Sequence, residues 1–257
     1  MRIMARYLSR ENLEQIANGY SMMYYAQQGC CDTALLPICP ETLAKDVLGL
    51  RVQSLPLCSD GSILGLSTFD DVEIQIALDD GTFRIEQLTA RDIAIDQALV
   101  ESSNYGRRNF TIMHEIAHHI LCRMFPREYG PLCHRKSHIF YRKSGKAHDW
   151  IEWQADTLAA SLLMPEKLIR QSMKNFCLGE RLEMLNRVFR PNSYAAFCTM
   201  AEYIGVSKQA LEIRMKQLNL LGRSYLSNPY ALVDVIMEDT DELSDTAPRN
   251  QTQAYKC

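Results

Sequence analysis

Five residues, His114-Glu115-Ile116-Ala117-His118, constrain this chain more than any other stretch. Residues four apart lie about one turn, roughly 6 Å, apart on one face of an α-helix, so both imidazoles can reach one ion at about 2.0 to 2.1 Å. Glu115 then projects beside the ion, where it can take a proton from a water that the ion acidifies. The segment from Thr111 to Met124 reads as a helix on separate grounds, with Thr111 as its cap and Pro126 beyond its end. The competing reading is two partly buried helix histidines bonded to backbone or carboxylates. Against it, all six histidines of the chain fall between His114 and His148.

A catalytic zinc takes three protein ligands and keeps a fourth position open. Asp149, Glu152, Asp156 and the remaining histidines are the candidates within reach. The next helix, capped by Asp149, carries an apolar stripe of Ile151, Ala155, Leu158, Ala159 and Leu162 and stops at Pro165. Glu152 lies on the face away from that stripe, and Asp156 sits one turn later on nearly the same face. One carboxylate can bind zinc while the other fixes a ligand histidine through its free ring nitrogen. Glu152 could also be a capping-box partner of Asp149, and Asp156 a solvated residue. Helix geometry prefers Glu152 without closing the choice.

The remaining chain sets the frame. A chain of 257 residues can bury a sizeable core, and 47% hydrophobic with 23% charged residues argues against wholesale disorder or a membrane fold. The net charge of -3 favours no polyanionic partner. The N-terminus lacks an apolar segment of signal-peptide length, and nine irregularly spaced cysteines, including adjacent Cys30 and Cys31, make a poor disulfide framework. Both features predict a cytoplasmic protein with reduced thiols. Ser9 caps a first helix with Leu13, Ile16, Ala17 and Tyr20 at helical spacing, and Pro40 opens a shorter one. Residues Val72, Ile74, Ile76 and Leu78 alternate before the turn Asp80-Gly81, a hairpin signal, and the runs at 63–67 and 92–96 could add strands to the same sheet.

The expected architecture is α+β: a small, mostly antiparallel sheet packed on a zinc-binding helical core. Residues 1–43 form an N-terminal helical segment, 44–168 the core, 169–222 a helical region, and 223–257 a polar acidic tail.

Weaker signals remain. Residues 201–218 have the rhythm of a helix-turn-helix, with Gly205 at the turn, Leu211 inside, and Lys208, Arg214 and Lys216 available to phosphate. Glu212 interrupts that basic face, Arg214 falls where a recognition helix usually buries an apolar residue, and two helices packed under the core explain the pattern as well. Cys122, Cys133, His134 and His138 fit no standard zinc-finger spacing. His138, Tyr141, Arg142 and His148 are candidates to stabilise an oxyanion.

The blocks GRRNFTIMHEIAHHIL and DWIEWQADTLAASLLMP together closely resemble the paired signature of the ImmA/IrrE metallopeptidases. In that family an Arg-x-Phe-Thr stretch leads into the His-Glu-x-x-His helix, and a second helix carries Glu-x-x-Ala-Asn/Asp before Leu-Leu-Met-Pro. The likeness runs from about Ala44 to Leu221. It implies a gluzincin-like site with His114, His118 and Glu152 as ligands of one Zn2+ per chain and Glu115 as catalytic base, which leaves Asp156, from its helix face, as the carboxylate behind a ligand histidine. It also implies proteolysis of a partner in bacterial cytosol, commonly a helix-turn-helix repressor. Residues 1–60 show no convincing helix-turn-helix, so such a repressor is expected to be separately encoded. The rivals are a zinc-containing protein that binds a repressor without cutting it, and a transcription regulator using residues 201–218. An intact Glu115 favours the enzyme, because a pure binder has no need of a general base.

Overall fold

The computed structural model describes residues 7–29, 35–57, 63–77, 81–102, 104–129 and 150–231. Helix α1 (Arg10–Gln27) begins at the Ser9 cap expected from the sequence. The Ser9 hydroxyl accepts from the Asn12 N–H at 3.2 Å and the Asn12 side chain accepts from the Ser9 N–H at 3.1 Å, so two orphan donors are satisfied reciprocally. Leu13 and Ala17 are buried, with Ile16 and Tyr20 half-buried beside them. Pro40 opens α2 (Pro40–Thr42), which widens into a π-helical turn, Leu43–Leu48, ended by Gly49 at φ +66°.

The strands group differently from expectation. β1 (Arg51–Leu55), β2 (Gly65–Ser67) and β5 (Asp92–Asp96) form a sheet in the order β1-β5-β2, with β5 parallel to β1 and antiparallel to β2. β3 (Val72–Ala77) and β4 (Phe83–Leu88) make the expected hairpin, but as a separate antiparallel ribbon. Its turn residues 78–80 lie outside the described residues. A single, mostly antiparallel sheet is therefore corrected to a mixed sheet plus a ribbon. The cause lies in β5, every residue of which is buried. Ile93 and Ile95 face the main core, while Ala94 joins a small cluster with Leu55, Leu66, Ile76 and Leu88. A strand covered on both faces and paired on both edges leaves the hairpin only a face to pack on.

After α3 (Gln97–Glu101), helix α4 (Tyr105–Met124) starts six residues before the expected Thr111. Asn104 is its cap, accepting from the Arg107 N–H at 3.1 Å, and Thr111 is buried inside the helix. The early start is held from outside. A Cβ on Gly106 would meet the Ser207 nitrogen at 2.6 Å, so the first turn of α4 touches the backbone of a later turn, and the Asn109 side-chain amide donates to the Gly205 carbonyl at 2.9 Å.

Helix α5 (Trp150–Leu163) buries Ile151, Ala155, Leu158, Ala159 and Leu162 as the stripe predicts and ends before Pro165. Its expected cap, Asp149, lies outside the described residues, as does most of the acidic tail. Beyond α6 (Glu166–Asn175) come α7 (Pro191–Ile204) and α8 (Lys208–Gln217), joined by Gly205 at φ +78° and the Ser207 cap. The region is not purely helical, because β6 (Leu182–Leu185) pairs in parallel with β7 (Leu221–Ser224). Four-residue strands are too short to show a period.

Arg214 of α8 corrects the phosphate-facing expectation, since it is 1% exposed. Its guanidinium forms a bidentate pair with Glu14 of α1 and donates to the Met164 carbonyl at 2.9 Å. Ser161 of α5 also donates to Glu14, at 3.0 Å. One fork thus ties three helices together. Glu212 and Lys216 pair with each other at 2.7 Å one turn apart on α8. Replacing Arg214 by Ala should lower unfolding free energy by about 3 kcal/mol, because it strands Glu14 and a buried carbonyl. Urea denaturation measures this, and a loss below about 1 kcal/mol would place the pair among surface ion pairs.

Candidate metal centre

Helices α4 and α5 pack on each other, burying Ile112, Met113, Ile116 and Ala117 of one and Ala155, Leu158, Ala159 and Leu162 of the other in one core. At the edge of that contact α4 presents His114 and His118 one turn apart. Opposite them α5 presents Glu152 and Asp156, also one turn apart. His114 Nε2 lies 3.0 Å from His118 Nε2 and 3.2 Å from Glu152 Oε2, and His118 Nε2 lies 3.7 Å from Glu152 Oε1. The three side chains form a group with donor atoms within 4.8 Å of one another. Asp156 stands behind it, its Oδ1 2.9 Å from His114 Nδ1.

This arrangement suits a cation. Four ligands at about 2.0 to 2.1 Å in a tetrahedron are separated by about 3.3 Å, and the three observed separations bracket that value. Two imidazole Nε2 atoms facing each other at 3.0 Å need a proton or a metal between them. Glu152 Oε1 is buried with no hydrogen-bond donor, although a carboxylate oxygen in that position requires one or an ion. Burial alone would lower the His114 imidazole, but the hydrogen bonds to Asp156 and Glu152 and the Glu115 charge override it and push it up to about 10. Burial would raise Glu152, yet its contacts with His114 and His118 hold it below the usual carboxylate range. The pocket draws positive charge to the point where the three donors converge.

Glu115 lies beside this point and is 3% exposed. The Ser67 hydroxyl of β2 donates to Glu115 Oε2 at 2.5 Å. Glu115 Oε1 sits over Gly65, where a Cβ would stand 2.8 Å from it and 2.8 Å from Thr111 Cγ2. A bare Cα at position 65 therefore lets the sheet edge meet the carboxylate. His119, which follows His118 on α4, turns away. It packs on Phe69 with ring centroids 4.7 Å apart, and burial together with the neighbouring His118 pushes its imidazole down to about 4.

The structure thus brings together His114, His118, Glu152, Asp156 and Glu115, all singled out from the sequence. Cys122 is a half-buried residue of α4. Cys133, His134, His138, Tyr141, Arg142 and His148 lie outside the described residues. Ser67 and Gly65 were not anticipated: the run at 63–67 reads as a strand, and no local pattern links a serine to a glutamate 48 positions later. Only the strand itself was visible.

Because the His114 imidazole holds a proton at neutral pH, any metal that takes its Nε2 must displace that proton. Zinc uptake by metal-stripped protein at pH 7 should therefore release about one proton per chain from His114. Apparent affinity should climb by up to about tenfold per pH unit and level off only towards pH 10. Indicator-dye titrations alongside competition with a chelator of known pH dependence read both quantities. Affinity that stays flat between pH 6 and 8 contradicts the proton-holding pocket.

Comparison with known proteins agrees with this geometry. Residues 82–216, which span β4, β5 and the helices from α3 to α8, match the family model described as Peptidase_M78, IrrE N-terminal-like domain. The match starts later than the likeness expected from Ala44. No curated protein sequence matches the chain. With more than half of its length covered, the chain belongs to the M78 peptidase family, whose IrrE-like domain it carries.

Proposed function

We propose that this protein is a zinc-dependent endopeptidase of the cytosol that cuts a regulatory protein, in the first place a separately encoded helix-turn-helix repressor. Family membership supports the metallopeptidase class. The observation that carries the finer reading is the convergence of two histidines from one helix and a glutamate from the next, with a buried second glutamate alongside. That is the gluzincin-like donor set. Among the described residues no helix is long and apolar enough to cross a membrane.

In this reading His114, His118 and Glu152 hold one zinc, and Asp156 fixes the His114 ring with Nε2 towards the ion. When bound, zinc supplies Lewis acidity towards the scissile carbonyl and acidifies a water. Glu115 accepts that water's proton and returns it to the departing amine. Ser67 donates to Oε2, and Oε1, which lies against the bare Cα of Gly65, is the oxygen left for the proton. The buried setting of Glu115 keeps bulk water from competing with the transfer.

Two measurements test the assignment. Glu152→Ala should abolish stoichiometric zinc, whereas Asp156→Ala should weaken affinity by roughly 10 to 100-fold while retaining binding; metal titration of both variants gives the order, and the reverse order would exchange their roles. Glu115→Gln should keep zinc, because glutamine matches the shape of glutamate and leaves the imidazoles untouched. It should slow cleavage of a co-expressed repressor by about 10² to 10⁴-fold. If the Gln variant relieves repression in cells as well as the wild type does, the protein acts by binding.

A further inference from the structure

The faces that carry the converging donors continue past them. On α4, Phe110 and Arg107 lie one and two turns before His114; on α5, Asp156 and Ala160 lie one and two turns after Glu152. These four residues line a trench of about 580 Å³, walled on its third side by α8. The trench begins at the carboxylate that contacts His114 Nδ1 and runs away from the metal centre. Its size falls within the range of sites that enclose a ligand.

The trench is rigidly built and of mixed character. The contact of Gly106 with Ser207 and the bond from Asn109 to Gly205 fix α8 against α4. Phe110 and Ile213 supply apolar wall, and Ile213 is 50% exposed although it sits on a packed helix. Charge is distributed unevenly. Asp156 marks the metal end, while Arg10 and Arg107, both exposed, line the trench without forming a salt bridge among the described residues. The third arginine there, Arg214, is paired with Glu14, a carboxylate whose charge Arg10 also faces at longer range. The N-termini of α4 and α8 open onto the same end and add partial positive charge. This local excess stands against a net charge of -3 for the chain.

We propose that the trench is a substrate subsite for the residues on one side of the cleaved bond, and that Arg10 and Arg107 make it select a segment apolar near the metal centre and acidic beyond it. The assignment as a substrate subsite rests on the peptidase reading; the charge preference is measured without cleavage. Apolar walls and the burial of Arg214 favour a peptide over a nucleic-acid backbone, which offers no apolar segment to cover Phe110 and Ile213.

The experiment uses two fluorescein-labelled 12-residue peptide pools with the same randomised apolar centre and either Glu or Lys flanks. Anisotropy with metal-stripped full-length protein measures binding, and the zinc-loaded protein reports cleavage. The wild type should bind the Glu-flanked pool about tenfold more tightly at low salt, with the preference fading at high ionic strength. Arg107→Glu should erase or invert that preference, and Arg10→Glu should move it the same way. Arg107 makes no salt bridge among the described residues, so its reversal isolates recognition from folding. Equal binding of both pools by the wild type overturns the proposal, as does a preference unchanged in both variants or displacement of the peptide by a random-sequence DNA duplex of equal charge. Cleavage without preference would sink the trench and spare the peptidase. Preference without cleavage would do the opposite.

Discussion

The contact between α4 and α5 is the constraint on which the rest depends. Each helix contributes a buried apolar stripe, and that packing forces two imidazoles and two carboxylates together at its rim. Separately, the two helices would leave those groups in water. Together they bury the two imidazoles, His114 and His118 being 8% and 1% exposed, and bring half-buried Glu152 and Asp156 against them. Buried polar groups of this kind persist only when paired or when coordinating an ion. The core energy that joins the helices therefore also creates the local demand for a cation.

The sheet completes the site from the other side. β5 anchors its middle through Ile93 and Ile95, and β2 on its edge delivers Ser67 and Gly65 to Glu115. These two residues act through opposite properties, one supplying a hydroxyl and the other the absence of a side chain. The result is an asymmetric carboxylate, with one oxygen bonded to a hydroxyl and the other set against the bare Cα of Gly65. A helix motif alone cannot produce that asymmetry, because it needs a second element at a fixed distance.

What could be read in advance followed from local geometry. The i, i+4 spacing of His114 and His118, the face shared by Glu152 and Asp156, the Ser9 cap and the alternation at 72–77 each depend on residues near in sequence, and the structure places them accordingly. The features that escaped notice depend on distant partners. Helix α4 begins at Tyr105 because its first turn is held by backbone near Ser207, a contact that propensity around Thr111 cannot reveal. The parallel pairing of β1 with β5, and of β6 with β7, joins segments far apart in the chain. Arg214 looked like a surface cation because its partner, Glu14, lies 200 residues away.

That separation has a temporal consequence. A ribosome releases Glu14 long before Arg214, so the first helix leaves the exit tunnel with a carboxylate whose partner has not yet been synthesised. The pairing of α4 with α5 can form in the interval, since both helices precede α8. Docking of α1 on α5 can form then as well, and only the Glu14 carboxylate waits for its guanidinium until α8 has emerged. The ion pair acts in this sense as a latch closed at the end of synthesis, joining the start of the fold to its completion.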